Sequence, residues 1–145
     1  MAVEAAVGRS DTDFRAQRPP CRWKKEHASE RGDFEAEHAI YAADAVLDYP
    51  QSGERFRGRE KIAAQRGGHP ADRHFTVLRI TGQAHVWVSE CVITYDGAPS
   101  YSVSVMEFAD QQVVHETQYF AAPLGTPAWR AALAEPMPGR TIEDA

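Results

Sequence analysis

HFTVLRITG at 74–82, AHVWVSECVITYDG at 84–97, SYSVSVMEF at 100–108 and VVHETQYF at 113–120 decide the fold. Each run is rich in β-branched and aromatic residues, which fit a pleated, half-buried surface. Gly82, Asp96-Gly97 and Asp110-Gln111 punctuate them, so the spacing predicts four meandering antiparallel strands. The second run is long for a strand and predicts a bend or bulge within it. Alternation then sorts the side chains. On the last strand Val114, Glu116, Gln118 and Phe120 share one face, and Val113, His115, Thr117 and Tyr119 the other. Trp87, Ser89, Cys91, Ile93 and Tyr95 alternate with Val86, Val88, Glu90 and Val92. Ser102, Ser104, Met106 and Phe108 alternate with Val103, Val105 and Glu107.

Upstream the period changes. Residues 22–31 are polar helix formers around Trp23, closed by Gly32. Asp33 suits an N-cap, and Phe34, Ala36, Ile40, Tyr41 and Ala43 recur at helical spacing, predicting a second helix over 34–43. Val46, Leu47 and Tyr49 favour a strand that Pro50 confines to an edge or an end. Gln51-Ser52-Gly53 reads as a hairpin turn, with Arg55-Phe56-Arg57 returning. Residues 59–67 predict a third helix, ended by Gly67-Gly68 and Pro70. Residues 1–20 lack an apolar period and read as a mobile tail, with a single domain over 21–138 and a short tail over 139–145. Four prolines in 121–138 stop the ladder, and PAWRAALAE there has room for a helical turn or two. Helices gathered before strands argue for an α+β layered fold. The long strands are apolar on both faces, so helices would cover one face and a second subunit the other.

Composition narrows the function. The chain has 145 residues, 43% hydrophobic and 26% charged, which is enough for one core and close to the globular average. Its net charge of −5 disfavours general nucleic-acid binding, which needs a basic surface. Cys21 and Cys91 form neither a disulfide framework nor a metal knuckle. No apolar run approaches membrane-spanning length and no signal peptide is evident, so a cytoplasmic, soluble protein with no membrane partner is the expectation.

Nucleophile-elbow, phosphate-loop, dinucleotide and zinc-protease motifs are missing. Six histidines invite a metal reading. His115 and Glu116, however, are strand neighbours facing opposite ways, so no metal site and no cofactor are expected. Arg55, Arg57, Arg59, Lys61, Arg66 and Arg73 could grip an anion. Glu54, Glu60 and Asp72 interleave them, which favours a solvated, mixed-sign surface. Strand faces that mix Trp, Tyr, Ser, Gln and Met suit either an apolar cavity with sparse polar groups or an ordinary core.

HAIYAADAVLDYPQSGERFRGREKI, then YDG, MEF and ETQYFAAP with WR following, resembles the nuclear transport factor 2-like superfamily, in its SnoaL-like, polyketide-cyclase-related branch. The resemblance covers about residues 22–133 and is sharpest in YPQSGERFRGRE. It implies a cone-shaped α+β barrel: three N-terminal helices packed on a curved, mixed, largely antiparallel sheet around a cavity. It also implies a homodimer paired through the outer face of the sheet. This fold hosts isomerases, dehydratases, epoxide hydrolases, cyclases and binding modules, so it does not fix a function. In ketosteroid isomerase-like relatives a general-base Asp precedes the hairpin proline. That place holds Tyr49 here, with Asp48 on the opposite face. Their oxyanion-hole Asp falls near Met106. The late acid of SnoaL-like cyclases falls at Gln118, and an amide is no base near neutral pH.

Glu116 remains, on the same face as Gln118. In an apolar cavity it would serve as acid or base, with Tyr49 or Tyr119 donating to a carbonyl oxygen. Glu116 and Tyr49 are therefore the candidate catalytic residues. Trp87, Ser104, Met106, Gln118, Tyr119 and Phe120 are the candidate pocket lining. The expected partner is a small, mostly apolar molecule, met by a cofactor-independent lyase, cyclase or isomerase. A non-catalytic binding protein and a dimeric interaction module with a filled barrel are the competing readings.

Overall fold

The structure is a computed structural model and describes residues 38–138. The helix expected over 22–31 and both expected tails lie outside these residues. Six strands form one sheet: β1 (Tyr41–Tyr49), β2 (Glu54–Arg57), β3 (Arg73–Gln83), β4 (Val86–Tyr95), β5 (Ala98–Ala109) and β6 (Gln112–Ala121). Helix α1 (Arg59–Gly67) connects β2 to β3, and a single turn, α2 (Ala128–Ala131), follows β6. The sheet order is β2-β1-β6-β5-β4-β3. Neighbours are antiparallel except β1 and β6, which run parallel.

The four-strand meander and the Tyr49–Glu54 hairpin form where the sequence places them. Asp96 and Gly97 have φ of 50° and 85°, the pattern of the primed turn whose twist matches flanking strands. Asp110 and Gln111, at 48° and 64°, repeat it without glycine. Gly82 is no separator: β3 runs through it to Gln83. A Cβ there would stand 2.4 Å from the Val86 carbonyl oxygen and 2.7 Å from the Trp87 Cα, so its hydrogen lets the hairpin close.

Three further expectations change. The helix over 34–43 ends early: helical backbone stops at His38, and β1 begins at Tyr41. Tyr41 pairs with Val113 of β6, and this long-range pairing outweighs the helical preference of the alanines around it. The barrel is an open six-stranded sheet among the described residues, with β2 and β3 at its edges. β2, a four-residue edge strand, pairs with β1, and no pairing with β3 closes the sheet among the described residues. Of the three N-terminal helices, only α1 falls wholly within the described residues. Finally, the bend or bulge expected in the second run is absent from β4, and the irregularities lie in other strands. They fall between Val77 and Arg79 in β3, at Glu107/Phe108 in the β5–β6 pairing, and between Tyr41 and Val46 in β1.

The β5–β6 shift inverts the start of β6. Val113, not Val114, joins the buried face with Glu116 and Gln118. Trp87, Ser89, Cys91 and Ile93 of β4 and Ser102, Ser104, Met106 and Phe108 of β5 are all buried, as alternation predicts. The core gathers Tyr41, Ala45 and Leu47 of β1, Ile62 of α1, Trp87, Met106, Phe108 and Val113. Ile62 and Arg66 are the buried residues of α1, four apart and so on one face against the sheet. After β6 the prolines free the chain from the ladder, leaving Leu124, Trp129, Leu133 and Met137 exposed. No helix among the described residues is long and apolar enough to cross a membrane.

Candidate functional site

A cleft of about 350 Å³ opens between the last turn of α1, the loop after it and the inner face of the sheet. Its apolar wall is Tyr49, Phe75, Ile93, Tyr95 and Phe120, and its polar groups are Gln65, Arg66, His69, Arg73, Ser100 and Gln118. Tyr49 ends β1 just before the Pro50 turn. Its ring meets Phe56 and Phe120 edge-on, with centroids 5.4 and 5.3 Å apart. Such edge-to-face pairs hold ring orientation as well as burying area. The Gln65 amide donates to the Tyr49 hydroxyl oxygen at 2.9 Å, so the phenol's own hydrogen is left to donate. Gln51 fixes Phe120 from the turn, donating to its carbonyl and accepting its N–H at 2.6 Å. On the far side the His69 ring lies against Tyr95, centroids 4.7 Å apart. The Ala71 N–H donates to His69 Nδ1 at 3.1 Å. Burial pushes the Tyr95 hydroxyl up, as does neighbouring Tyr49, while Arg73 and Arg66 oppose the shift.

The floor is a buried polar chain. Arg66 Nη1 donates to the Tyr41 hydroxyl, and that hydroxyl donates to Glu116 Oε2. Arg66 Nη2 donates to Glu116 Oε2 at 3.1 Å and to Gln118 Oε1 at 3.2 Å. Gln118 Nε2 then donates to Ser102 Oγ at 2.9 Å. Burial raises the Tyr41 hydroxyl well above its ordinary range, so Tyr41 stays a proton donor. Burial works against the Arg66 charge, yet Tyr41, Glu116 and Tyr49 around it hold its pKa well above the ordinary value. A charge out of water survives only with such partners.

Glu116 is fully buried beneath Arg66 and does not line the cleft; Tyr49 does. Gln118 and Phe120 also line it. Trp87 and Met106 lie in the hydrophobic core and Ser104 is buried on the same face, all outside the cleft wall. Tyr119 points from the opposite face of β6 and is 43% exposed. Asp48 also faces outward. Arg55 donates to its two oxygens at 2.6 and 2.7 Å, and His115 Nε2 lies 2.9 Å from Oδ2. The Arg55 bonds lead in lowering the Asp48 carboxyl to about 2, while its modest burial opposes them. Glu107 Oε2 stands 2.7 Å from His115 Nδ1.

The basic cluster does not act as a solvated unit. Arg66 enters the core, Arg73 lines the cleft and Arg55 pairs with Asp48. A signal for Arg66 was present: it sits four residues after Ile62, on the single apolar stripe of its helix. Tyr41 and Ser102 in the floor, and Gln65, His69, Phe75, Ile93, Tyr95 and Ser100 in the cleft wall, are further site residues that were not among the candidates. Strand parity put Ile93 and Tyr95 on the inner face of β4, but no local pattern marks Tyr41, Gln65, His69 or Phe75, because β1, α1 and β3 come together only in the folded chain. Among the described residues no group of three or more His, Cys, Asp or Glu could hold a metal ion. The cleft thus offers aromatic surface, two phenols, an imidazole, a serine hydroxyl, two amides and two guanidinium groups.

Comparison with known proteins agrees with this architecture. A crystal structure of an NTF2-like protein of unknown function from Burkholderia xenovorans LB400 is 48% identical, with a TM-score of 0.73 over 79% of this chain and 90% of that one. At 21% identity, a putative ketosteroid isomerase from Kribbella flavida DSM 17836 superposes with a TM-score of 0.76, covering 88% of this chain and 94% of the other. An LEH-like epoxide hydrolase from M. tuberculosis, 18% identical, gives 0.61 over 72% and 84%. These two share the fold. No curated protein matches the chain. The SnoaL-like domain matches residues 26–139, and the chain therefore belongs to the SnoaL-like family of the NTF2-like superfamily.

Proposed function

We propose that this chain binds a small, mostly apolar molecule in the cleft over Arg66 and Gln118, without a cofactor. One observation carries the reading: four aromatic rings and Ile93 wall a space of about 350 Å³ whose floor is a satisfied polar network. Small-molecule sites combine these features, at volumes of roughly 300–1,000 Å³. Binding is favoured over general-base catalysis by the position of Glu116. Arg66 stands between its carboxylate and the cleft, and a base must come within hydrogen-bond reach of the proton it takes. Screening one- and two-ring aromatic compounds by NMR tests the proposal. Binders are expected to shift the ring signals of Tyr49 and Phe120, and binders that shift only Trp129 and Leu133 would defeat it.

A catalytic reading keeps one specific support. Tyr49 has its oxygen filled by Gln65 and its hydrogen available, as a donor to a developing oxyanion requires. Tyr49→Phe is then expected to slow turnover of any substrate found by about 10²-fold or more, as loss of an oxyanion donor does. Unchanged kcat would leave binding alone. We further propose that two copies pair across the outer face, where Val86, Val103 and Tyr119 are exposed. Light scattering at micromolar concentration should give twice the chain mass; a monomer refutes the pairing.

A further inference from the structure

Resting on the reading of the cleft as a ligand site, we propose that its ligand is an uncharged aromatic or alicyclic carbonyl compound whose oxygen accepts from the hydroxyls of both Tyr49 and Tyr95. Tyr49 is the last residue of β1 and Tyr95 the last of β4, and both line the cleft. The order β1-β6-β5-β4 puts three strand spacings between them, roughly 14 Å on a flat sheet. Phe120 of β6 and Ser100 of β5 line the wall between, so the two phenols border one space from its β1 and β4 sides.

The two hydroxyls reach the donor role by different routes. Gln65 donates to the Tyr49 oxygen at 2.9 Å, which fills its acceptor side and leaves the O–H to donate. The Tyr95 hydroxyl, on a half-buried residue, makes no hydrogen bond among the described residues. A hydroxyl partly withdrawn from water and left unmet is costly, and an acceptor atom in the cleft removes that cost. Burial raises the Tyr95 pKa, and neighbouring Tyr49 adds to the shift, so Tyr95 stays protonated. His69 steadies the Tyr95 ring, centroids 4.7 Å apart, and is itself held by the Ala71 N–H at Nδ1. The floor is engaged elsewhere: Gln118 accepts from Arg66 and donates to Ser102, and Glu116 matches the Arg66 charge. Among the described residues no Asp or Glu lines the cleft to receive a cationic ligand. Neutral donors suit a neutral acceptor, since neither brings a charge that must be desolvated. The Phe75 and Phe120 rings and Ile93 suit a flat apolar body behind the carbonyl.

The test is a titration of the full chain with 2-acetylnaphthalene and with 2-isopropylnaphthalene, the same shape without the oxygen, followed by the NMR signals of Phe120 and Ile93. Tyr49→Phe and Tyr95→Phe should each lower the ketone-to-hydrocarbon affinity ratio by about three- to tenfold, the loss of one hydrogen bond. The infrared carbonyl stretch of the bound ketone should lie lower in the native chain than in either variant. Phenylalanine keeps each ring, and thermal melting shows whether the variants are folded. A ratio and a stretch that either folded variant leaves unchanged overturn the two-phenol assignment and leave the cleft as an apolar-ligand site. Tighter binding of 2-naphthoate than of the ketone overturns it in favour of an anion. Failure of all three compounds to shift the Phe120 and Ile93 signals overturns this inference and the binding reading beneath it.

Discussion

Two charge networks share strands β1 and β6 and differ only in the face they occupy. The inner one joins Arg66, Glu116, Tyr41 and Gln118, with Arg66 and Glu116 7% and 0% exposed. The outer one joins Arg55, Asp48, His115 and Glu107, whose ion-paired side chains are 19–48% exposed. The groups are chemically alike. Water separates their consequences: an inner charge left without its partner has no solvent to turn to, whereas an outer one is rehydrated and screened by salt. The inner network can therefore fix one arrangement of α1 against β6. The outer network tunes the sheet surface with little hold on the fold.

The widest gap between the faces should appear on removing one inner charge. Arg66→Met strands Glu116 in the core and is expected to cost about 3–5 kcal/mol in urea unfolding. Replacing both partners, Arg66→Met with Glu116→Leu, should return much of that loss, since an apolar pair of similar volume carries no desolvation penalty. A double variant as unstable as the single one would show that the pair's charge is not what matters. Next in size is Tyr41→Phe, which removes the hydroxyl between guanidinium and carboxylate; a loss of about 1–3 kcal/mol is expected from the same unfolding measurement. Smallest is Asp48→Asn on the outer face. Its folded pKa of about 2 lies below the ordinary 3.8, so its contribution is present above pH 3.8 and lost as pH falls toward 2. The variant should show a shallower fall in melting temperature across that window. An unchanged slope would remove Asp48 from the acid sensitivity, and 1 M salt should narrow the difference between the two proteins.

The sheet was legible because its signals are local. Alternation at Trp87–Ile93 and Ser102–Phe108 and the Asp96-Gly97 turn need no distant partner. Tyr41 shows the opposite case: its spacing with Ile40 and Ala43 reads as helix until β6 arrives to pair with it. Within the site, Gln118 and Phe120 were placed on one face by strand parity and Tyr49 was singled out through the family resemblance; all three line the cleft. Glu116 was assigned to the correct face, but its partner was not, because Arg66 is fifty residues away and lies in a charge-rich helix. Parity also misplaced Val113, since one irregularity in the ladder reverses every residue before it.

The neighbours His115 and Glu116 give the last strand a check on its own alignment. Sliding β6 by one position would carry His115 inward beside Arg66 and turn Glu116 outward toward Asp48 and Glu107. The interior would then hold an arginine without its anion, and three acids would crowd the surface around Arg55. The slipped strand is disfavoured by electrostatics as well as by hydrophobic mismatch. Because β6 is also the strand that joins β1 to the meander, correct threading of the final ribbon and neutralisation of the interior happen in the same event.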